Sequence, residues 1–122
     1  MSDKKRGIGF RYAWSGLKQI IRMEKNFQVH LGVAFLVIIA GFYFQISRFE
    51  WIAVIISIGM VLICEMINTA IESFLDYVRP QIHPAAKLIK DIAAGAVLVA
   101  AMMAVVIGCI VFLPKIKILL GL

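Results

Sequence analysis

The chain has 122 residues, of which 62% are hydrophobic, and its mean hydropathy is +0.95. Ordinary soluble domains are only about half apolar, so this composition excludes a soluble domain and predicts an integral-membrane protein. The net charge of +6 does not indicate nucleic-acid binding, because the basic residues flank apolar runs, where they set topology and contact anionic lipids.

The length of the chain predicts three membrane spans in a single domain that covers residues 1–122. A bilayer core about 30 Å thick is crossed by about 20 helical residues. Three helices enclose little polar space, so we expect a homo-oligomer with sites between subunits. No cleavable signal peptide is expected, and Cys64 and Cys109, which lie within apolar runs, are expected to be free thiols.

The amino-terminal part of the chain predicts an interfacial helix over residues 8–25, after a charged and frayed stretch at 1–6. One face of this helix is apolar: Phe10, Ala13, Trp14, Leu17, Ile20 and Ile21. A basic stripe lies beside it: Arg11, Lys18, Arg22 and Lys25. That pairing is typical of a helix lying in the headgroup layer. Glu24 falls on the apolar side, where an acid either faces other helices or binds a ligand.

The three spans are predicted at about 27–44, 51–78 and 87–113. Trp51 opens the second span as an interfacial anchor. The second span stops at Arg79 and Pro80, since proline disfavours helix in the residue before it. The residues 79–86, with two prolines, predict a loop. Pro114 is expected to end the third span, leaving a short tail.

The second span carries a polar stripe, which is unusual for a membrane helix. Five residues at offsets of 0, 3, 4, 7 and 11 share one helical face: Glu65, Asn68, Thr69, Glu72 and Asp76. Each ionisable group inside a bilayer costs about 3 kcal/mol by the lower estimates. The structural alternative is hydrogen bonding between helices, or carboxyl groups kept neutral. The functional interpretation is a cluster of oxygen ligands suited to Mg²⁺ and phosphate chemistry.

Further polar residues are predicted at the same depth as this stripe. Glu24 precedes the first span, and the pair Lys90–Asp91 opens the third. Carboxylates can hold Mg²⁺, a lysine can steady phosphate oxygens, and another carboxylate can take a proton from an attacking hydroxyl. The sequence lacks a G-x-x-x-x-G-K-[ST] phosphate loop. From spacing alone, the prediction is a metal-capable carboxylate site near one face of the membrane.

The distribution of Lys and Arg predicts the orientation. Seven of these residues precede the first span and three lie around the second loop, whereas the first loop has one and the tail has two. Basic residues accumulate on the cytoplasmic side. We therefore expect the amino terminus, the second loop and the polar site in the cytoplasmic layer, with the tail outside.

Two motifs resemble the small bacterial integral-membrane diacylglycerol kinase family. The first is Glu65-Met66-Ile67-Asn68-Thr69-Ala70-Ile71-Glu72 followed by Asp76, and the second is Ala86-Lys87-Leu88-Ile89-Lys90-Asp91. Three further segments resemble the Gram-positive branch, whose members are chiefly undecaprenol kinases: 24–30, the His83–Pro84 loop and 112–115. The resemblance covers nearly the whole chain.

The resemblance implies a homotrimer in the bacterial plasma membrane that transfers the γ-phosphate of MgATP to a lipid hydroxyl. Glu65 is the implied general base, and Glu24 and Glu72 are the implied Mg²⁺ ligands. Asn68, Thr69 and Asp76 are implied to position the site or the substrate. The residues implied to lie near ATP are Tyr12, Glu24, Glu72, Gln81, Ile82, His83, Lys90 and Asp91.

Three functions remain open at this stage. Undecaprenol is the expected acceptor, and diacylglycerol is the alternative within the same chemistry. The enterobacterial members carry serine where Ala13 and Ala94 stand, and an acid where His30 and Pro84 stand. These differences leave the identity of the acceptor lipid open. A small non-enzymatic, proton-coupled transporter is the alternative from another class, although its acid is expected near the middle of the membrane.

Overall fold

The computed structural model describes residues 9–122. Within that range the chain forms four α-helices and no strand: α1 (Phe10–Met23), α2 (Lys25–Phe44), α3 (Arg48–Val78) and α4 (Pro84–Leu119). The last three are long and apolar enough to cross a membrane. This confirms the predicted all-α fold and a multi-pass membrane protein. The predictions for residues 1–6 and for a helix start at residue 8 lie outside the described residues.

The junction between α1 and α2 lies at Glu24, which has an extended backbone with φ of −102° and ψ of 114°. The predicted extension of the first helix to residue 25 is therefore wrong, because the chain turns here from the interface into the first span. Gln28 reinforces the turn, since its Nε2 donates to the carbonyls of Ile21 at 2.9 Å and Arg22 at 3.3 Å. These bonds satisfy carbonyls that the end of α1 leaves free.

The second span begins at Arg48 rather than at the predicted Trp51. The reason is a capping box, a reciprocal pair of hydrogen bonds at the start of a helix. The Oγ of Ser47 accepts from the Glu50 amide at 3.2 Å, and the Glu50 Oε1 accepts from the Ser47 amide at 2.8 Å. The first turn of α3 is thereby fixed ahead of the tryptophan anchor.

The third span is longer than predicted at both ends. Its start moves from 87 to Pro84, because the His83 Nδ1 accepts from the Ala85 amide at 3.0 Å and proline fits the first helical position. Its end moves from 113 to Leu119, so the prediction that Pro114 ends the helix is wrong. An internal proline removes one backbone hydrogen bond, and the turn that follows is held by an ion pair between Lys115 and Glu50 at 2.9 Å.

Helix α3 is the centre of the subunit: it packs along α4 and against α2, while α1 contacts α2. Ion pairs join α3 to α4 near both ends, Asp76 with Lys90 at 2.6 Å and Glu50 with Lys115 at 2.9 Å. The two acids are separated by about 39 Å along a helix with a rise of 1.5 Å per residue. This length is close to the thickness of a bilayer with its headgroup regions.

The subunit buries little apolar surface. Its hydrophobic cluster is built on Ile46, Val54 and Val111, near the Glu50–Lys115 end. Most large apolar side chains of the three spans are exposed in the single chain. A soluble protein does not expose apolar surface on this scale, so lipid or neighbouring subunits must cover these faces. Cys64 and Cys109 are free, as expected.

Candidate active site

The polar stripe of α3 is partly buried and incompletely satisfied. Glu65 and Asn68 are its most buried members, with 3% and 8% of their surface exposed. The Asn68 Nδ2 donates to the Glu72 Oε2 at 3.4 Å, one helical turn away. The Asn68 Oδ1 and the Thr69 Oγ1 are buried without a hydrogen-bond partner. Unsatisfied buried oxygens are costly, so they indicate a site that binds a ligand.

Two further acids lie near Glu65. Glu72 follows Glu65 by two helical turns on the same stripe, and Glu24 lines a cavity together with Thr69 of that stripe. Glu24 reaches this position because it occupies the turn between α1 and α2 rather than a helical face. Three like charges from two segments repel one another unless a cation or protons neutralise them.

A basic group faces the buried acid from α2. The Nε2 of His30 lies 3.5 Å from the Oε1 of Glu65, and 28% of the histidine side chain is exposed. The sequence analysis did not predict this contact. His30 lies three residues after Phe27, which is almost fully buried, with 1% of its surface exposed. That spacing places His30 beside the buried face of α2.

A cavity of about 500 Å³ opens between α1 and α3. It brings together three residues of the predicted site, Tyr12, Glu24 and Thr69. Other polar residues of this wall were not predicted: Ser15, Gln19 and Ser73. The spacing of Tyr12, Ser15 and Gln19 along α1 was the available signal, because residues three and four apart share a helical face.

The structure does not bring Lys90 and Asp91 into this cavity. Lys90 binds Asp76, and Asp91 accepts from the Nζ of Lys87 at 2.6 Å. Asp76 lies at the exposed end of the stripe, and its ion pair with Lys90 ties α3 to α4.

The 81–83 segment also lies outside the cavity lining. Gln81 and Ile82 are exposed, and Ile82 has 99% of its surface accessible. His83 is engaged as the cap of α4 through its Nδ1. The nucleotide contacts predicted for this segment and for α4 remain predictions.

The donor set of the site fits Mg²⁺. Within residues 9–122, one chain holds no group of three or more His, Cys, Asp or Glu side chains placed to bind a metal. Magnesium, however, is commonly held by one or two carboxylates together with substrate phosphates and water. The predicted pair, Glu24 and Glu72, matches that requirement, and the unpartnered oxygens of Asn68 and Thr69 add hard donors or water acceptors.

A second, apolar cavity of about 390 Å³ lies between α2, α3 and α4. Its wall includes small residues from two helices: Ala34, Ala101, Ala104 and Gly108. His30 also lines it, at the end nearest Glu65. The cavity therefore reaches from the apolar middle of the bundle to the neighbourhood of the buried carboxylate.

Comparison with known proteins gives a consistent result. Residues 11–112 match the family described as prokaryotic diacylglycerol kinase. The chain is 42% identical over 106 residues to an undecaprenol kinase of Bacillus subtilis, covering 87% of this chain and 86% of the relative. It is 37% identical over 108 residues to a diacylglycerol kinase of Synechocystis, covering 88% of this chain and 62% of the relative. A diacylglycerol kinase of Escherichia coli is 28% identical over 99 residues, or 81% of each chain.

Proposed function

The chain belongs to the prokaryotic diacylglycerol kinase family and is a lipid kinase, and we propose that it transfers the γ-phosphate of MgATP to the hydroxyl of undecaprenol. The observation that carries the chemistry is the buried Glu65, surrounded by two further acids and by unpartnered oxygens next to a cavity of nucleotide size. A carboxylate kept in the apolar part of the chain is costly, which supports a catalytic use.

Glu65 is the proposed general base. It takes the proton of the lipid hydroxyl while the hydroxyl oxygen attacks the γ-phosphorus and ADP leaves with the electrons of the broken phosphorus–oxygen bond. Glu24 and Glu72 would hold Mg²⁺, which when bound would neutralise charge on the phosphates. Asn68 orients Glu72 through its amide, and Thr69 faces the nucleotide from the cavity wall.

The cavity between α1 and α3 is the proposed nucleotide site, with Tyr12 and Glu24 on its wall. Lys90 and Asp91 lie outside this cavity in their own chain. We therefore propose that they reach the nucleotide of a neighbouring subunit in a homotrimer. The exposed apolar faces of the spans leave surface for such an assembly.

The location of the protein is proposed as the bacterial plasma membrane, with the amino terminus and the site on the cytoplasmic side. The basic residues before α2 and around the α3–α4 loop support this orientation. ATP is a cytoplasmic substrate, which agrees with a site at the Asp76–Lys90 end of the bundle.

The choice of undecaprenol over diacylglycerol rests on two observations. The Bacillus subtilis relative carries the name undecaprenol kinase and is 42% identical. The apolar cavity is lined mainly by Val, Ile and Leu, with small residues such as Ala101, Ala104 and Gly108 on α4 that leave room for a branched hydrocarbon chain. The family description and the Synechocystis relative favour diacylglycerol instead.

A competition assay tests both the activity and the acceptor. Purified protein in micelles receives labelled ATP together with undecaprenol and diacylglycerol at equal mole fractions. We expect label in undecaprenyl phosphate in excess over phosphatidic acid. Equal labelling would refute the acceptor preference, and transfer to neither lipid would favour the transporter alternative.

A further inference from the structure

We infer that His30 is a positioning residue for the phosphoryl transfer: its imidazole fixes the buried Glu65 carboxylate so that one oxygen faces the acceptor hydroxyl. This inference rests on the proposed function, because it assigns a role within the same site. His30 lies on α2 and belongs neither to the polar stripe of α3 nor to the predicted metal ligands.

The first support is the contact itself. The His30 Nε2 lies 3.5 Å from the Glu65 Oε1, and the carboxylate is 97% buried, with 3% of the side chain exposed. Within residues 9–122, His30 is the one basic side chain within 4 Å of the Glu65 carboxylate. The distance exceeds that of a good hydrogen bond. Contacts of catalytic groups are often long before substrate binds and shorten in the complex.

The second support is the charge around the base. Glu72 lies on the same stripe as Glu65, Glu24 lines the neighbouring cavity with Thr69, and the His30 imidazole meets Glu65 from α2. If Glu65 were free to rotate, repulsion would turn its oxygens away from both acids. An N–H donor on the α2 side holds one oxygen and leaves the other for the acceptor.

The third support is the rigidity of the α2 surface at this point. Phe27 precedes His30 by three residues and Ala34 follows it by four, and both are buried, with 1% and 8% of their surface exposed. Residues at these spacings share a helical face. His30 therefore lies on the same face of α2 as these two buried residues.

The fourth support is the place of His30 on the apolar cavity. The residue lines the cavity with Val33 and Ser57 while contacting Glu65. An acceptor chain in this cavity places its hydroxyl beside the imidazole and the carboxylate. The proton then passes from the hydroxyl to Glu65, the hydroxyl oxygen bonds to the γ-phosphorus, and ADP leaves.

Two substitutions separate positioning from packing. His30→Leu removes the N–H donor and keeps an apolar side chain of similar size, while His30→Gln keeps a donor. We expect His30→Leu to lower kcat by at least about 10-fold with the KM for MgATP changed less than about 2-fold. His30→Gln should restore kcat to within about 3-fold of the wild type. Phe35→Leu, at an exposed position of the same helix outside both cavities, is the matched control and should keep wild-type kcat.

A double-mutant cycle tests whether His30 acts through Glu65. Glu65→Asp shortens the acid and takes it out of reach of the imidazole. In that background His30→Leu should lower kcat by less than about 2-fold further, because the contact is already lost. The same 10-fold loss in both backgrounds would overturn the inference.

The kinetics of the single variants and of the wild type also test the inference. Unchanged kcat in His30→Leu, or a loss that His30→Gln does not restore, would overturn the inference and leave the kinase function standing. A wild-type protein without phosphate transfer to any lipid alcohol would remove the proposed function, and the inference with it.

Discussion

At the scale of the residue, the central feature is a carboxylate that the fold keeps almost completely buried. Glu65 is buried beside Asn68, and two unpartnered oxygens lie on the same stripe. Folding alone does not favour such an arrangement, because buried polar atoms without partners destabilise the folded state. A site that binds phosphates and a lipid hydroxyl accounts for it.

Removing the base tests the role of Glu65. Glu65→Gln preserves the size and polarity of the side chain but cannot accept the hydroxyl proton. We expect phosphate transfer to fall by about 10²- to 10⁴-fold, the usual contribution of general base catalysis. Size-exclusion chromatography in detergent should show an unchanged assembly. Turnover within a few-fold of the wild type would remove Glu65 as the base.

Removing a metal ligand tests the role of Glu72. Glu72→Gln should raise the Mg²⁺ concentration needed for half-maximal transfer, because magnesium binds carboxylates in preference to amides. Glu50→Gln is the matched control, since it changes an acid at the opposite end of the same helix. An identical magnesium dependence in the Glu72 variant and the wild type would contradict the ligand role.

At the scale of the element, the ends of the helices were harder to predict than their existence. The period of the apolar residues predicted the spans and the stripe of α3. The capping interactions at Ser47 and His83 lengthened α3 and α4 at their starts. Such caps depend on the geometry of particular side chains, which cannot be read from the composition. The His30–Glu65 contact could not be predicted, because it depends on how α2 rotates against α3.

The approach of α2 to α3 depends on the absence of a side chain at Gly41. A Cβ at this position would lie 2.7 Å from the Trp51 Cη2 and 3.2 Å from the Ile46 Cδ1. Gly41→Ala should therefore destabilise the fold by about 1–3 kcal/mol, the usual cost of overpacking. Unfolding of the purified protein in mixed micelles measures this difference.

The matched control for Gly41 lies on the same helix. A Cβ at Gly32 meets nothing within 4 Å in the described chain. Gly32→Ala should leave stability unchanged, or raise it by up to about 1 kcal/mol through helix propensity. If both variants unfolded alike, the close contact between Gly41 and Trp51 would not limit the packing of α2.

At the scale of the whole molecule, the three spans carry polar residues from the middle of α3 toward one end. Glu72 and the Asp76–Lys90 pair lie toward that end and Glu65 lies near the middle of α3, while the Glu50–Lys115 pair lies at the other end. Composition and length predicted a membrane protein with three spans. Contacts between chains, on which the proposed shared site depends, are not specified by a single sequence pattern.

The orientation of the molecule gives a separate prediction. A reporter enzyme that is active only outside the cytoplasm, fused after Leu122, should be active, because basic residues keep the amino terminus and the α3–α4 loop inside. The same reporter fused in the α3–α4 loop after Gln81 is the control and should be inactive. Activity in the loop fusion alone would reverse the orientation.

The most direct test of the account is a structure of the protein with Mg²⁺ and a non-hydrolysable ATP analogue. The account predicts Mg²⁺ bound by oxygens of Glu24 and Glu72 at about 2.1 Å, with the terminal phosphate facing the Glu65 carboxylate. Magnesium and nucleotide bound elsewhere, with these three carboxylates directed away from the phosphates, would contradict it.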